Sequence, residues 1–330
     1  MTSFFQNELV LVAGGTGLVG SNLIRRLLAE GAIVRATLHR RPPVIVDDRI
    51  EYVHADLTNG EDCRRVLTGQ KYVFMCAANT SGAAAIASTP MVHVTPNVLM
   101  NTQTFEAAYD AGVKKLLWLS STTGYPPSDD RPIKEGEMFE GEPVDAYYFT
   151  GWLTRFTEAL CRMYGEKLSK PMTTIVLRPT SIYGPNDDFE PATSHVTPAL
   201  VRKVVERQHP IEVWGAGEDV RDVLYVDDMV DAMVAAMEKV DGYLAINIGL
   251  GQGYSVTEIL KTILEIDGHT NAEVVFDPTK PSMIPIRLVD TNKAEAELGF
   301  RATTGLREGL EKTIKWYREY VQSGSSSDTP

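Results

Sequence analysis

The chain has 330 residues, of which 43% are hydrophobic and 23% charged, and a formal net charge of -12 at pH 7. That length and apolar content suffice for one or two globular domains with a substantial core. The acidic balance repels phosphate backbones and anionic headgroups, which argues against nucleic-acid and membrane partners, although basic groups can still gather where an anionic ligand binds.

Leu9–Ala13 is an apolar run that reads as a strand and is far too short to span a membrane. The residues before it lack the basic region of a leader, so a soluble, cytoplasmic protein is expected. Ser21–Glu30 reads as a helix, with Leu23, Leu27 and Leu28 on one face and Gly31 as its C-cap. Ile33–Leu38, Tyr52–Ala55, Tyr72–Cys76 and Lys115–Leu119 read as further strands, with a helix at Thr102–Ala111 between the last two. Strands alternating with helices predict an α/β fold with a doubly wound parallel sheet, and continuous apolar strands fit burial on both faces.

Past Thr173–Arg178 the pattern changes, and Pro, Asn and Asp crowd Pro179–Pro191. Helices are predicted at Pro198–Arg207, Asp227–Lys239, Val256–Ile266 and Leu306–Val321, with Ser255 and Glu258 as a capping box. The expected division is a dinucleotide-binding domain over 1–178, joined by later returning segments, a smaller substrate-binding lobe mainly over 179–322, and a disordered Ser-rich tail over 323–330. Cys63, Cys76 and Cys161 are scattered and form no CxxC pair. Neither a disulfide framework nor a metal site is expected, which fits a reducing compartment.

Gly14-Gly15-Thr16-Gly17-Leu18-Val19-Gly20 lies between the first strand and the first helix. Glycines at this point let the backbone approach a pyrophosphate, and the helix N-terminus offers free amides and a partial positive charge. Gly14, Gly17, Leu18, Val19 and Gly20 are therefore cofactor candidates. The second strand runs into His39, Arg40 and Arg41, with no acid to hold the adenosine ribose hydroxyls. Three basic side chains there suit a 2′-phosphate. NADP is the expected cofactor and NAD the alternative, solvated loop cations being the plainer reading. Asp56 and Leu57 after the third strand and Ala77 after the fourth complete the cofactor set; Asp56 reads equally well as a turn residue.

The glycine fingerprint, Ser120-Ser121-Thr122-Thr123-Gly124-Tyr125-Pro126, Leu177-Arg178-Pro179 and Tyr183-Gly184-Pro185 resemble the extended short-chain dehydrogenases that act as nucleotide-sugar epimerases, reductases and dehydratases. Ser194-His195-Val196-Thr197-Pro198 and Val213-Trp214-Gly215-Ala216-Gly217 with Arg221-Asp222 bring the resemblance nearest to the GDP-fucose synthases within that family. The resemblance implies a Rossmann-type fold, a nicotinamide cofactor, a nucleotide-sugar substrate and a homodimer formed through helices that include Thr102–Ala111 and Trp152–Tyr164.

It also implies a catalytic hydroxyl at Ser121, which holds the reacting sugar oxygen while a Tyr exchanges the proton. The expected Tyr-x-x-x-Lys is broken: four residues beyond Tyr147 stands Gly151, and four beyond Tyr148 stands Trp152. Tyr147 is preferred, on the expectation that Gly151 leaves space for water or a remote cation, while Tyr148 reads as a core aromatic. Arg155 lies two turns on along that face, too far to touch the phenol.

His195 matches the family's acid–base His, with a helix-start residue as the plainer reading. Thr123 stands where the fucose synthase pattern has a Cys, and a hydroxyl is far less acidic than a thiol, so double epimerisation is not expected. No Asp-Glu pair follows Ser121, so dehydration is not expected either. On the same resemblance Arg221 meets the nucleotide diphosphate, a bidentate task suited to guanidinium, against the alternative of a surface pair with Asp219 or Asp222. Asn186, Lys203 and Arg287 are further substrate candidates. The combined reading is an NADP-dependent 4-ketoreductase or epimerase on a nucleotide sugar. A catalytically silent cofactor binder is the competing reading, favoured by the missing Lys and opposed by Ser121, His195 and Arg221.

Overall fold

The computed structural model describes residues 3–80, 91–128, 130–280 and 284–323. Seven strands form one parallel sheet: β1 (Leu9–Ala13), β2 (Ile33–Leu38), β3 (Ile50–His54), β4 (Tyr72–Met75), β5 (Lys115–Leu119), β6 (Thr173–Pro179) and β10 (Tyr243–Ile248). Their order is β10-β6-β5-β4-β1-β2-β3. The order reverses between β1 and β4, and the carboxyl ends of strands at such a reversal form the crevice where α/β sheets take ligands.

Both faces of the sheet are covered, which is why its inner strands are apolar without alternation. On one face α1 (Leu18–Ala29) and α6 (Val226–Lys239) close a core that includes Val10, Leu23, Leu27, Phe74, Met233 and Ile246. On the other, α2 (Gly60–Leu67), α3 (Met91–Asp110) and α4 (Tyr148–Arg162) pack around Leu11, Cys63, Phe105, Leu116 and Cys161.

The remaining elements form a smaller lobe. A four-stranded sheet joins β7 (Ser181–Tyr183), β9 (Val220–Tyr225), β11 (Gly253–Ser255) and β13 (Ile286–Arg287), and β8 (Ile211–Trp214) pairs with β12 (Val274–Asp277). Helices α5 (Val196–Val205), α7 (Val256–Asp267) and α9 (Leu306–Gln322) enclose a third core with Leu200, Val213, Val223, Ile259 and Leu310. The short helix α8 (Asn292–Leu298) returns to the main sheet, where Ala294 and Leu298 join its core. Ser255 and Glu258 form the expected reciprocal cap at the start of α7.

Two helices show how the structure departs from the sequence reading. Helix α3 begins at Met91 rather than Thr102, despite Pro96 and several β-branched residues, because packing against α2 and α4 outweighs propensity. Helix α2 escapes a periodicity reading because only Cys63, Val66 and Leu67 of its eight residues are buried; its start is fixed by the Asn59 side chain, which accepts from the Glu61 amide at 2.8 Å. Most of the tail expected to be disordered, 324–330, lies outside the described residues. Among the described residues no helix is long and apolar enough to cross a membrane.

Candidate active site

The β1–α1 turn is a cradle shaped by missing side chains. Gly14 adopts φ +83°, and a Cβ there would lie 2.7 Å from the Ala77 nitrogen. A Cβ on Gly20 would sit 2.1 Å from the Gly14 carbonyl oxygen, whereas one on Gly17 would meet nothing nearer than 3.7 Å. Gly17 therefore borders open space. It is also the N-cap of α1 and makes no side-chain cap, so the amides of that helix end are available to an anion. A dinucleotide pyrophosphate fits this arrangement. Leu18 and Val19 open α1 with their side chains packed toward the two cores. Thr37 ties the cradle to β2, taking the Gly14 amide on its hydroxyl at 2.9 Å and the Gly15 amide on its carbonyl at 3.2 Å.

His39, Arg40 and Arg41 project into solvent beyond β2, and Arg41 reaches Asp188 of the smaller lobe at 3.4 Å. Asp56 is a turn residue: its carboxylate accepts from the amide and hydroxyl of Thr58, which hold it below its ordinary pKa. Leu57 is buried in the core, so its side chain presents no surface to a ligand.

Across the crevice, the β5 end carries Ser121. Its Oγ accepts from the Thr123 amide at 3.2 Å and from the Thr123 hydroxyl at 3.0 Å. Helix α4 comes so close to this turn that a Cβ on Gly151 would lie 2.7 Å from the Thr123 carbonyl oxygen and 2.5 Å from the Pro143 ring. The space expected at Gly151 is thus filled, and neither water nor a cation has room there. Tyr148 is likewise no core aromatic. It is exposed, together with Phe149, Trp152 and Phe156, on an outer stripe of α4.

Tyr147 faces inward, at the N-terminus of α4. Burial pushes its phenol pKa up, while the charges of Arg221 and Arg287 draw it down and that of Asp219 adds to the rise; the net is a pKa above the ordinary value. Arg155 sits beneath, almost fully buried. It donates Nε to the Gly124 carbonyl at 2.8 Å and Nη1 to that of Gly141 at 2.7 Å, which binds the Ser121 turn to the segment leading into Tyr147.

Arg221 and Arg287 are register partners on the parallel strands β9 and β13. Arg221 donates to Asp219 at 3.0 Å and to the carbonyls of Val220 and Pro285. Arg287 is 5% exposed, and its one hydrogen bond runs from Nη1 to the Pro126 carbonyl at 3.3 Å. Among the described residues its Nε and Nη2, both buried, have no partner. Burial, helped by the Arg221 charge, lowers its pKa to about 10.

His195 is the N-cap of α5, and the surrounding protein holds its imidazole below the ordinary value despite the Asp188 charge. Asn186 takes a left-handed turn at φ +67°. Lys203 donates to the Glu212 carbonyl at 2.6 Å and so joins α5 to β8.

Sequence reasoning missed the support beneath the site. Glu158 on α4 accepts from Ser120 at 2.6 Å and from Arg178 at 2.9 and 2.6 Å; Arg178 also donates to Tyr125 Oη at 2.8 Å, which donates to Asn247 at 2.5 Å. The signal available was an acid and a base in otherwise apolar surroundings.

The family model described as the NAD dependent epimerase/dehydratase family matches residues 10–249. The chain is 33% identical to GDP-L-fucose synthase 1 of Arabidopsis thaliana, covering 94% of each. It is 31% identical to the GDP-L-fucose synthase of Escherichia coli, covering 94% of this chain and 96% of that one. The structure of UDP-glucose 4-epimerase from Thermotoga maritima, solved with UDP-glucose, superposes with a TM-score of 0.85 at 27% identity and covers 94% of this chain and 99% of that one. A match over most of the sequence, relatives that are enzymes of nucleotide-sugar chemistry and a cradle that fits a dinucleotide lead to one assignment: the chain is an NAD(P)-dependent enzyme and belongs to the NAD dependent epimerase/dehydratase family.

Proposed function

We propose that the chain is an NADP-dependent 4-ketoreductase acting on a nucleotide-diphosphate sugar. The observation that carries the reading is Arg287, a buried guanidinium with two unpartnered nitrogens beside Arg221 and within electrostatic reach of Tyr147. Arg221 already meets Asp219, but the buried Arg287 beside it meets no carboxylate among the described residues, which is unfavourable until an anion completes it. A diphosphate brings both the charge and the paired oxygens that guanidinium groups bind. The names of the relatives point to a guanosine diphosphate carrier and a 6-deoxyhexose.

Gly14–Gly20 would hold the reduced cofactor, which when bound would supply the hydride for sugar C4. Ser121 orients the C4 oxygen, and Tyr147 delivers the proton. A phenol whose pKa lies above its ordinary value is protonated at neutral pH, which makes it a competent acid and a poor base. That favours reduction of a ketone over the alcohol oxidation with which a 4-epimerase begins. Thr123 in place of a thiol argues against epimerisation beside the ketone. The preference for NADP is supported by His39, Arg40 and Arg41, which lie open to solvent with no acid at the end of β2. The exposed apolar stripe of α3 and α4, with Met91, Leu99, Phe149, Trp152 and Phe156, supports a homodimer through these helices.

The test is NADPH consumption with a GDP-linked 4-keto-6-deoxyhexose, the product's C4 hydroxyl being identified by NMR. Steady turnover with a new C4 alcohol is expected. Cofactor binding without turnover would replace this reading with that of a silent binder.

A further inference from the structure

We propose that Thr123 is a positioning residue that fixes Ser121 as a hydrogen-bond donor to the reacting sugar oxygen. The substrate half of this proposal rests on the ketoreductase reading; the geometric half does not. A serine hydroxyl has two acceptor positions and one proton. Both acceptor positions of Ser121 Oγ are filled from within its own turn, by the amide of Thr123 at 3.2 Å and its hydroxyl at 3.0 Å. The proton of Ser121 is the capacity left over.

The opposite orientation would run Ser121 to Thr123 to Thr154. Thr154 already gives its proton to the Thr150 carbonyl at 2.9 Å, so the contact between the Thr123 and Thr154 hydroxyls can only be donated by Thr123. That link is 3.5 Å long, well beyond the range of about 2.5–3.0 Å for O–H···O bonds. The 3.0 Å bond to Ser121 wins the Thr123 proton. Gly151 keeps this register by letting α4 close onto the Thr123 backbone.

A ketone oxygen only accepts, whereas an alcohol must also donate. A Ser121 with both acceptor positions filled donates to either one and leaves the proton of the alcohol to Tyr147. As hydride adds to C4, the C=O π pair moves onto oxygen, and a preset donor stabilises that developing charge. Tyr147 then supplies the proton, and Ser121 keeps its own. A thiol at position 123, a weaker donor, would not hold Ser121 in this way.

The test combines kinetics with direct observation of hydrogen. Thr123→Val keeps the shape and the backbone amide but removes the hydroxyl. Its kcat for ketone reduction is expected to fall about tenfold, with KM for the sugar nucleotide and Tm unchanged, and Thr123→Ser should restore most of the loss. Full kcat in Thr123→Val, or equal losses in the Val and Ser variants, would overturn the proposal. Neutron diffraction from the perdeuterated full chain provides the arm that needs no turnover and no variant. Deuterium on Ser121 aimed into the crevice supports the proposal; deuterium aimed at Thr123 sinks it. If the wild type reduces no keto sugar while the deuterium points outward, the ketoreductase reading fails and the positioning role stands.

Discussion

Two buried guanidinium groups, Arg178 and Arg287, are treated in opposite ways. Arg178 is 3% exposed at the side chain and faces Glu158, 0% exposed, in a two-bond pair; its third nitrogen donates to Tyr125 and to the Glu135 carbonyl. Arg287 is as deeply placed, yet it has a single 3.3 Å bond, two unpartnered nitrogens and another guanidinium as its register partner. A buried charge with all its hydrogen bonds met is scaffold. One left unmet is retained against stability, and the natural account is a ligand that completes it.

The comparison breaks most visibly at Glu158. Glu158→Ala strands Arg178 and Ser120 together, and the expected loss is about 3–5 kcal/mol, measured by urea unfolding of the full chain. A loss below about 1 kcal/mol would mean that Arg178 is no better satisfied than Arg287. Arg287→Met is expected to behave in the reverse sense. It should raise KM for the nucleotide sugar by about 10–100-fold, the worth of a charged hydrogen bond, while leaving stability equal or higher by about 1 kcal/mol. With the glycine cradle saturated by NADP, inorganic pyrophosphate should raise the Tm of the wild type and leave that of Arg287→Met unmoved.

These two arginines also mark what a sequence can tell. The first central strands and the glycine cradle were legible because they rest on local signals: apolar runs, a glycine spacing, a helix after a strand. Arg287 was legible only as a further substrate candidate. Its isolation depends on β13 lying beside β9, a pairing between residues 66 positions apart that no local pattern announces. Gly151 was misread for the same reason. A glycine in a helix signals room, but here Pro143 and the Thr123 carbonyl, both remote in sequence or in local structure, occupy it.

The unmet-group argument extends to the cofactor end of the crevice, where one carboxylate oxygen of Asp187 is buried without a partner. Burial, with the charge of Asp188 adding to it and Arg41 opposing, raises this carboxyl to about 7. A carboxyl with a folded pKa above its unfolded value binds protons more tightly when native, so stability falls as pH rises from about 4 to about 7. Asp187→Asn removes that penalty. The variant should match the wild type below pH 4 and exceed it by about 1–2 kcal/mol at pH 8, the full shift being discounted for the residue's remaining exposure. Unfolding midpoints across that range decide it, and a constant difference would leave Asp187 an ordinary surface acid.

The smallest effect is expected where a missing lysine invites repair. If Tyr148 were the reacting phenol, position 152 would be where its cation belongs. Trp152 is instead 41% exposed, lies over Arg155 with 4.9 Å between guanidinium and ring centre, and donates its indole N–H to Glu142 at 3.0 Å. A lysine there would extend into solvent or toward the partner helices of a dimer. It would gain neither the cofactor ribose nor the Tyr147 phenol, whose nearby charges come from the other lobe. Trp152→Lys should therefore leave kcat and its pH profile within about twofold of wild type, because a charge in high dielectric beyond a few ångströms contributes little, although it should weaken self-association. The pH–rate profile in the reductive direction, run beside sedimentation of the same sample, separates the two effects. A shift of the profile toward lower pH would place Tyr148 and position 152 at the reacting centre, and the division between a satisfied floor and an unsatisfied arginine corner would have to be redrawn around them.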